Sequence, residues 1–164
     1  MKLILSMLRI KGSHYNMNLR GDIDKYRSLY QTLVFKLCSK KDTIQLNINS
    51  YGGNFLAGLN WYAGVSKTKA NTISYVEENA QSIAAILALA SDKLICKDDA
   101  KFMFHKPRYW PSNELLEPEH PANATMDNLI KKYAEKYFTE EQKTRYNKGE
   151  DVYLTGKEVK NHEV

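Results

Sequence analysis

The chain has 164 residues, 43% of them hydrophobic and 26% charged, with a formal net charge of +5. That is enough for one domain with a real core, its apolar content argues against disorder, and no stretch is as long as a membrane span. The lysines and arginines are dispersed among acids, as in Lys131-Lys132-Tyr133-Ala134-Glu135-Lys136, so the basic patch that a nucleic-acid surface needs is missing.

The start, Met1 to Ile10, carries a charge and an apolar stretch, but Arg9 interrupts it and no small-residue cleavage site follows. A first strand is expected there. Asp22 is expected to cap a helix with the apolar stripe Ile23, Tyr26, Tyr30, Leu33, Val34 and Leu37. Ile44-Gln45-Leu46-Asn47-Ile48 alternates as a half-buried strand that Tyr51-Gly52-Gly53 breaks, and Asn54 can cap a second helix running to about Ser66. Thr72 to Val76 reads as a strand. Ser82 to Ala90 is apolar on every side and reads as a helix buried all round. Leu94-Ile95-Cys96 and Phe102-Met103-Phe104 follow as short strands. Pro107 to Pro121 holds all four prolines and several acids, the composition of an exposed arm. From Asn123 the stripe Met126, Leu129, Ile130, Tyr133, Ala134, Tyr137 and Phe138 predicts a long amphipathic helix. Thr155-Gly156-Lys157-Glu158 is a capping box opening the last helix. This strand–helix alternation predicts an α/β fold with a largely parallel sheet, where ligands gather at the carboxyl ends of the strands. Cys38 and Cys96 lie in apolar contexts and read as reduced packing residues of a cytoplasmic protein.

Two segments stand out chemically: Asn79-Ala80-Gln81-Ser82-Ile83-Ala84-Ala85 and Lys101-Phe102-Met103-Phe104-His105-Lys106-Pro107. A serine hydroxyl is a poor nucleophile unless a base removes its proton, and histidine is the usual base. Ser82 stands where a loop meets a buried helix, whose first amides lack internal partners and carry partial positive charge. It reads either as the helix N-cap or as a nucleophile beside a ready oxyanion site. Gly52-Gly53 is either a tight turn or a place where a backbone N–H points unobstructed into a cleft. His105, at a strand end, is either structural or the base. Asp151, just ahead of the capping box, is either an acidic turn residue or the group that orients the imidazole. His14, His120 and His162 show no ligand spacing with a cysteine or carboxylate, so neither a metal site nor a cofactor is expected.

Together these residues resemble the proteolytic-subunit family of the Clp protease, ClpP. That family reads strand-Asn-Ser-Pro-Gly-Gly-helix, then Ala-Ser-Met at a helix start, Met-Ile-His-Gln-Pro, and Asp-Arg-aromatic-Leu/Met-Ser/Thr before a final helix. The counterparts are Ile48-Asn49-Ser50-Tyr51-Gly52-Gly53, Gln81-Ser82-Ile83, Met103-Phe104-His105-Lys106-Pro107 and Asp151-Val152-Tyr153-Leu154-Thr155, from about Gly21 to the C-terminus. The resemblance implies one domain over residues 1–164 with the ClpP/crotonase-like fold of repeated strand-strand-helix units. A protruding helical handle at about 107–148 is part of that implication. It also implies a serine endopeptidase with Ser82 as nucleophile, His105 as general base and Asp151 as its orienter. The oxyanion hole falls to the amides of Gly53 and Ile83. The implied partners are a peptide or unfolded-protein substrate, added beside a strand edge near Gly52, further copies in a heptameric ring or double ring, and an AAA+ unfoldase. No nucleic acid or membrane is implied.

The chain departs from the family pattern at six places. Tyr51 replaces a proline, Glu78 a glycine and Gln81 a small alanine. Gln45 and Asn47 stand where family members carry tyrosines that help dock the ATPase, and Arg108 to Pro121 replaces a glycine-rich strand and loop. Three other readings compete. A signal-peptide-peptidase-like enzyme would use a lysine base, from Lys93, Lys101 or Lys106. A crotonase-like acyl-CoA enzyme would keep the oxyanion hole without needing the Ser/His/Asp set. A non-catalytic ring subunit would act as a scaffold.

Overall fold

Apolar residues alternate with polar ones along β2 (Thr43–Gly53), which sends Ile44, Leu46 and Ile48 into the core and Gln45 and Asn47 to the other face. The computed structural model describes residues 12–109 and 111–161, leaving the side chains of residues 25–30 undescribed. The strand expected at residues 1–10, His162, and the side chains of Tyr26 and Tyr30 lie outside the described residues. The other elements are β1 (His14–Ile23), α1 (Lys25–Leu37), α2 (Phe55–Lys67), β3 (Asn71–Gln81), α3 (Ile83–Ala90), β4 (Lys93–Cys96) and β5 (Lys101–Phe104). After the arm come α4 (Pro121–Tyr133), a 3-10 turn (Glu135–Tyr137), α5 (Glu140–Asn147), β6 (Val152–Thr155) and α6 (Gly156–Lys160). Among these described residues no helix is long and apolar enough to cross a membrane.

The expected α/β architecture with a largely parallel sheet is what the chain forms. The strand order is β1-β2-β3-β5-β6, with β4 also paired to β3. All pairings are parallel except β5 with β6. Strand β3 serves two partners in succession: residues 73–76 pair with β4 and residues 79–81 with β5. Between these stretches β3 bulges against β2, advancing from Val76 to Ala80 while β2 advances only from Ile48 to Ser50. Such bulges re-aim the residues that follow them. Here they send the end of β3 toward β5.

Helix α3 is the centre of the core. Ile83 through Ala88 are all fully buried, which matches the all-round apolar sequence. Asn54 caps α2 as expected, its side chain accepting from the Ala57 N–H at 2.9 Å. Thr155 and Glu158 form the expected capping box. Cys38 and Cys96 are buried and form no disulfide with each other.

Four expectations are corrected. Asp22 is not a helix cap, because β1 continues pairing with β2 through Ile23 opposite Gly53, so α1 begins only after Asp24. Leu33 and Leu37 do not face the core; they are 54% and 62% exposed, whereas Phe35 and Cys38 are buried. The packing of α1 on α2 chooses that face. Phe35 meets the Trp61 ring edge-on at 6.1 Å, and its own ring lies so close to Gly64 that a β-carbon there would be 2.3 Å away. Tyr51-Gly52-Gly53 does not break β2, since the glycines continue the ladder with β1. Finally, the long helix from Asn123 ends at Tyr133. Tyr137 and Phe138 still reach the core through the 3-10 turn, Phe138 against Phe104 at 5.4 Å, and Thr139 caps the separate helix α5.

Helix α2 approaches α3 through Gly58, where a β-carbon would lie 2.5 and 2.6 Å from the two γ-carbons of the buried Ile83. Gly58→Ala is expected to lower the unfolding free energy by about 1–2 kcal/mol, the overpacking outweighing alanine's better helix propensity. Denaturant titration checks this, and an unchanged or higher midpoint would contradict the close approach.

Candidate active site

Ser82 occupies the one-residue turn between β3 and α3. It adopts φ 55° and ψ −131°, a left-handed conformation that non-glycine residues rarely hold. Such a backbone costs about 1–3 kcal/mol and persists only where its surroundings enforce it. Two contacts do so here. The Ser82 N–H donates to the Met103 carbonyl at 2.7 Å, and the Ser82 carbonyl accepts from the Ala85 N–H at 3.0 Å. Ser82 thus takes the N-cap position but makes no side-chain cap bond. Its hydroxyl is turned to His105 instead, with Oγ 2.8 Å from Nε2.

The sheet register explains how residues so far apart in sequence meet. Parallel pairing sets Gln81 opposite Met103, so Ser82, one residue on, and His105, two residues on, emerge together at the carboxyl ends of β3 and β5. Antiparallel pairing sets Phe104 opposite Val152, so His105, which follows the one, faces Asp151, which precedes the other. The structure brings Ser82 and His105 into hydrogen-bond contact, and Asp151 close to them but not into contact. Asp151 Oδ1 lies 3.9 Å from His105 Nδ1, beyond a hydrogen bond.

That oxygen is instead 2.5 Å from Arg108 Nη2. Nothing in the sequence marked Arg108, three residues past His105 in the arm. The signal exists only in the fold, where the arm's return to Leu115 runs beside the turn at Gly149.

Gly52 is needed because of Ser82. Its φ is +98°, and a β-carbon there would stand 2.8 Å from Ser82 Cβ and 3.3 Å from Oγ. The buried Ser50 holds this turn, its Oγ donating to the Gly21 carbonyl at 2.6 Å and accepting from the Gly52 N–H at 3.1 Å. Gly53, at φ +138°, is pressed on the backbone of Ile23, where a β-carbon would lie 2.6 Å from its nitrogen. Ile83 is the first residue of α3, so its N–H has no partner within the helix.

The rim carries linked amides and a carboxylate. Gln81 Nε2 donates to Asn79 Oδ1 at 3.3 Å, Asn79 Nδ2 to Asn49 Oδ1 at 3.4 Å, and Asn49 Nδ2 to Glu78 at 2.9 Å. Glu78 and Gln81 are thereby tied into the sheet's polar face. Of the three candidate lysine bases, Lys106 donates to Asp127 at 2.5 Å and lies over the Tyr146 ring, while Lys93 and Lys101 are exposed.

Burial of the His105 ring pushes its pKa below the ordinary 6.5. The Asp151 charge opposes that shift, and the Arg108 charge adds to it. A neutral imidazole with its proton on Nδ1 presents Nε2 as an acceptor for the Ser82 hydroxyl. The arrangement can therefore deprotonate an alcohol at neutral pH beside a helix N-terminus.

Against known families, the sequence matches the family model described as Clp protease over residues 13–162. No curated protein matches the chain.

In an NMR titration of the imidazole protons, His105 is expected to show a midpoint below 6.5. Because its folded-state pKa is depressed, the stability linked to neutral His105 is fully present above the unfolded-state pKa. It falls as pH drops from there toward the folded midpoint. A midpoint at or above 6.5 contradicts this.

Proposed function

The chain belongs to the Clp protease family, and from that premise we propose that it is a serine endopeptidase that hydrolyses peptide bonds of proteins or peptides. Ser82 is the nucleophile, His105 the general base and Asp151 the group that steadies the imidazolium. The observation that carries this reading is the 2.8 Å contact between Ser82 Oγ and His105 Nε2. It is formed by a serine in a left-handed conformation that leaves the ordinary N-cap bond unmade.

His105 takes the Ser82 proton as Oγ attacks the peptide carbonyl, giving a tetrahedral intermediate with a negative oxygen. The Ile83 N–H at the head of α3 and the Gly53 N–H receive that oxygen, with the partial charge of the helix N-terminus adding to the stabilisation. His105 then gives its proton to the leaving amine. Water enters, loses a proton to His105, and releases the acyl group as acid, regenerating Ser82. A substrate strand lies beside Gly52, where β2 runs past its last pairing with β3, and is held by main-chain hydrogen bonds, which demand little of its side chains. Lys106 is a poor candidate for the base because Asp127 engages its ammonium group.

Assembly belongs to the same proposal. The chain is one domain whose segment 107–148 forms the handle, and copies join into heptameric rings that pair through it. An AAA+ unfoldase draws no support from the face where ATPase-docking aromatics were expected. There Gln45 donates to Asn47 at 2.7 Å and Asn47 to Asn18 at 3.1 Å, a chain of amides in place of rings. The buried, unoxidised thiols Cys38 and Cys96 suit a reducing, cytoplasmic setting.

A fluorophosphonate probe on the native assembly, read by intact mass and peptide mapping, is expected to add once, at Ser82. Ser82→Ala and His105→Ala should each lower peptide cleavage by about three orders of magnitude or more. Lys106→Ala should still be labelled. Absence of the adduct in the assembled protein would favour a scaffold subunit, and an adduct that survives His105→Ala would favour a lysine base.

A further inference from the structure

We propose, resting on the triad reading above, that Arg108 is a positioning residue that withholds Asp151 from His105, so that Ser82 and His105 act as a pair until the guanidinium lets go. Both contacts compete for one oxygen. Asp151 Oδ1 is 2.5 Å from Arg108 Nη2 and 3.9 Å from His105 Nδ1. The first is a short charge-assisted hydrogen bond and the second is no hydrogen bond at all. The pair is not a freely solvated surface contact. The Arg108 side chain is 20% exposed and that of Asp151 34%.

The guanidinium is seated from two sides. Nη2 also donates to the Gly149 carbonyl at 3.2 Å, gripping the turn that carries Asp151. Nη1 lies 3.5 Å from the Asn113 carbonyl, and the Arg108 backbone bridges to Leu115, fixing the group to the arm. The grip is nevertheless one-armed. Arginine normally takes a carboxylate with a two-nitrogen fork, but here Nε is buried with no partner. A donor left unmade in a buried place favours release whenever another acceptor is offered. Asp151 and Arg108 are also the charged groups acting on the His105 imidazole, with opposite signs. Lys106, next in sequence, is turned away to Asp127. Moving the carboxylate by about 1 Å would place it within hydrogen-bond range of Nδ1.

A double-mutant cycle on the native assembly separates this from a simple bracing role. Arg108→Gln is expected to raise the rate of Ser82 labelling by the fluorophosphonate severalfold on the high-pH plateau, where His105 is already neutral. It should also lift the His105 midpoint, since a cation leaves and an anion closes in. Asp151→Asn should cost a larger factor in the Arg108→Gln background than in the natural chain. Arg108→Lys, which keeps the charge without the planar fork, should fall between the two. Should Arg108→Gln leave the plateau rate unchanged or lower it, or should Asp151→Asn cost no more in its background, the proposal is overturned. If Ser82 proves unreactive in every variant, the peptidase reading fails by itself. The His105 titration then still decides Arg108's role, because Asp151→Asn should lower the midpoint further when Arg108 is replaced; equal shifts refute the competition.

Discussion

The register of the short strand β5 between β3 and β6 is the constraint on which the site depends. Four residues, Lys101–Phe104, carry two ladders, one parallel and one antiparallel. The parallel ladder delivers the backbone contact from Ser82 to Met103, and the antiparallel one aligns the turn of Asp151 with His105. A strand has a side-chain period of two. A one-residue slip would therefore send the buried Phe102 and Phe104 to the opposite face and break both alignments together. Packing resists the slip. Phe104 meets Phe138 from the turn beyond α4, and β6 contributes the buried Val152 and Leu154 alongside. The core and the site are thus held by the same few side chains.

Around that frame, close backbone approach replaces bulk wherever Ser82 is concerned. Gly52 lets β2 come beside the serine, and Gly58 lets α2 come beside Ile83. Ser50 secures the turn from within. The left-handed backbone of Ser82 is the counterpart of these contacts, because the chain must turn from strand to buried helix in one residue. A side chain bonded to its own helix would be unavailable to the imidazole. Here the cap bond is unmade and the hydroxyl meets His105.

The pair Arg108–Asp151 introduces a second electrostatic centre beside the first. Burial keeps the imidazole neutral, and the guanidinium reinforces that neutrality while occupying the carboxylate meant to oppose it. The imidazole therefore turns an unprotonated nitrogen to Ser82, with the Asp151 carboxylate close by but engaged by the guanidinium. Arg108 belongs to the arm between Pro107 and Pro121, so the conformation of that arm and the electrostatics of His105 are joined through one side chain.

Much of this was legible in the chain itself. Alternation in Ile44–Ile48, all-round apolarity from Ile83 to Ala88, the Asn54 cap and the Thr155–Glu158 box are local signals, set by side-chain period and by unpaired helix amides. The order of Ser82, His105 and Asp151 with their neighbouring motifs was also readable. Other features had no local signal. The buried face of α1 belongs to Phe35 because Trp61 and Gly64 lie across from it, and a periodic stripe could not weigh that partner against Leu33 and Leu37. The helix after the arm stops at Tyr133, although its stripe runs on, because the 3-10 turn carries Tyr137 and Phe138 into the same core. The hold of Arg108 on Asp151 spans 43 residues and exists only once antiparallel pairing has brought the Gly149 turn beside the arm. Sequence by itself pointed to the residues that could bear the chemistry and to most, though not all, of the strands and helices. The tertiary structure decided which of them touch, because charge competition and close packing depend on distances that strand register alone creates.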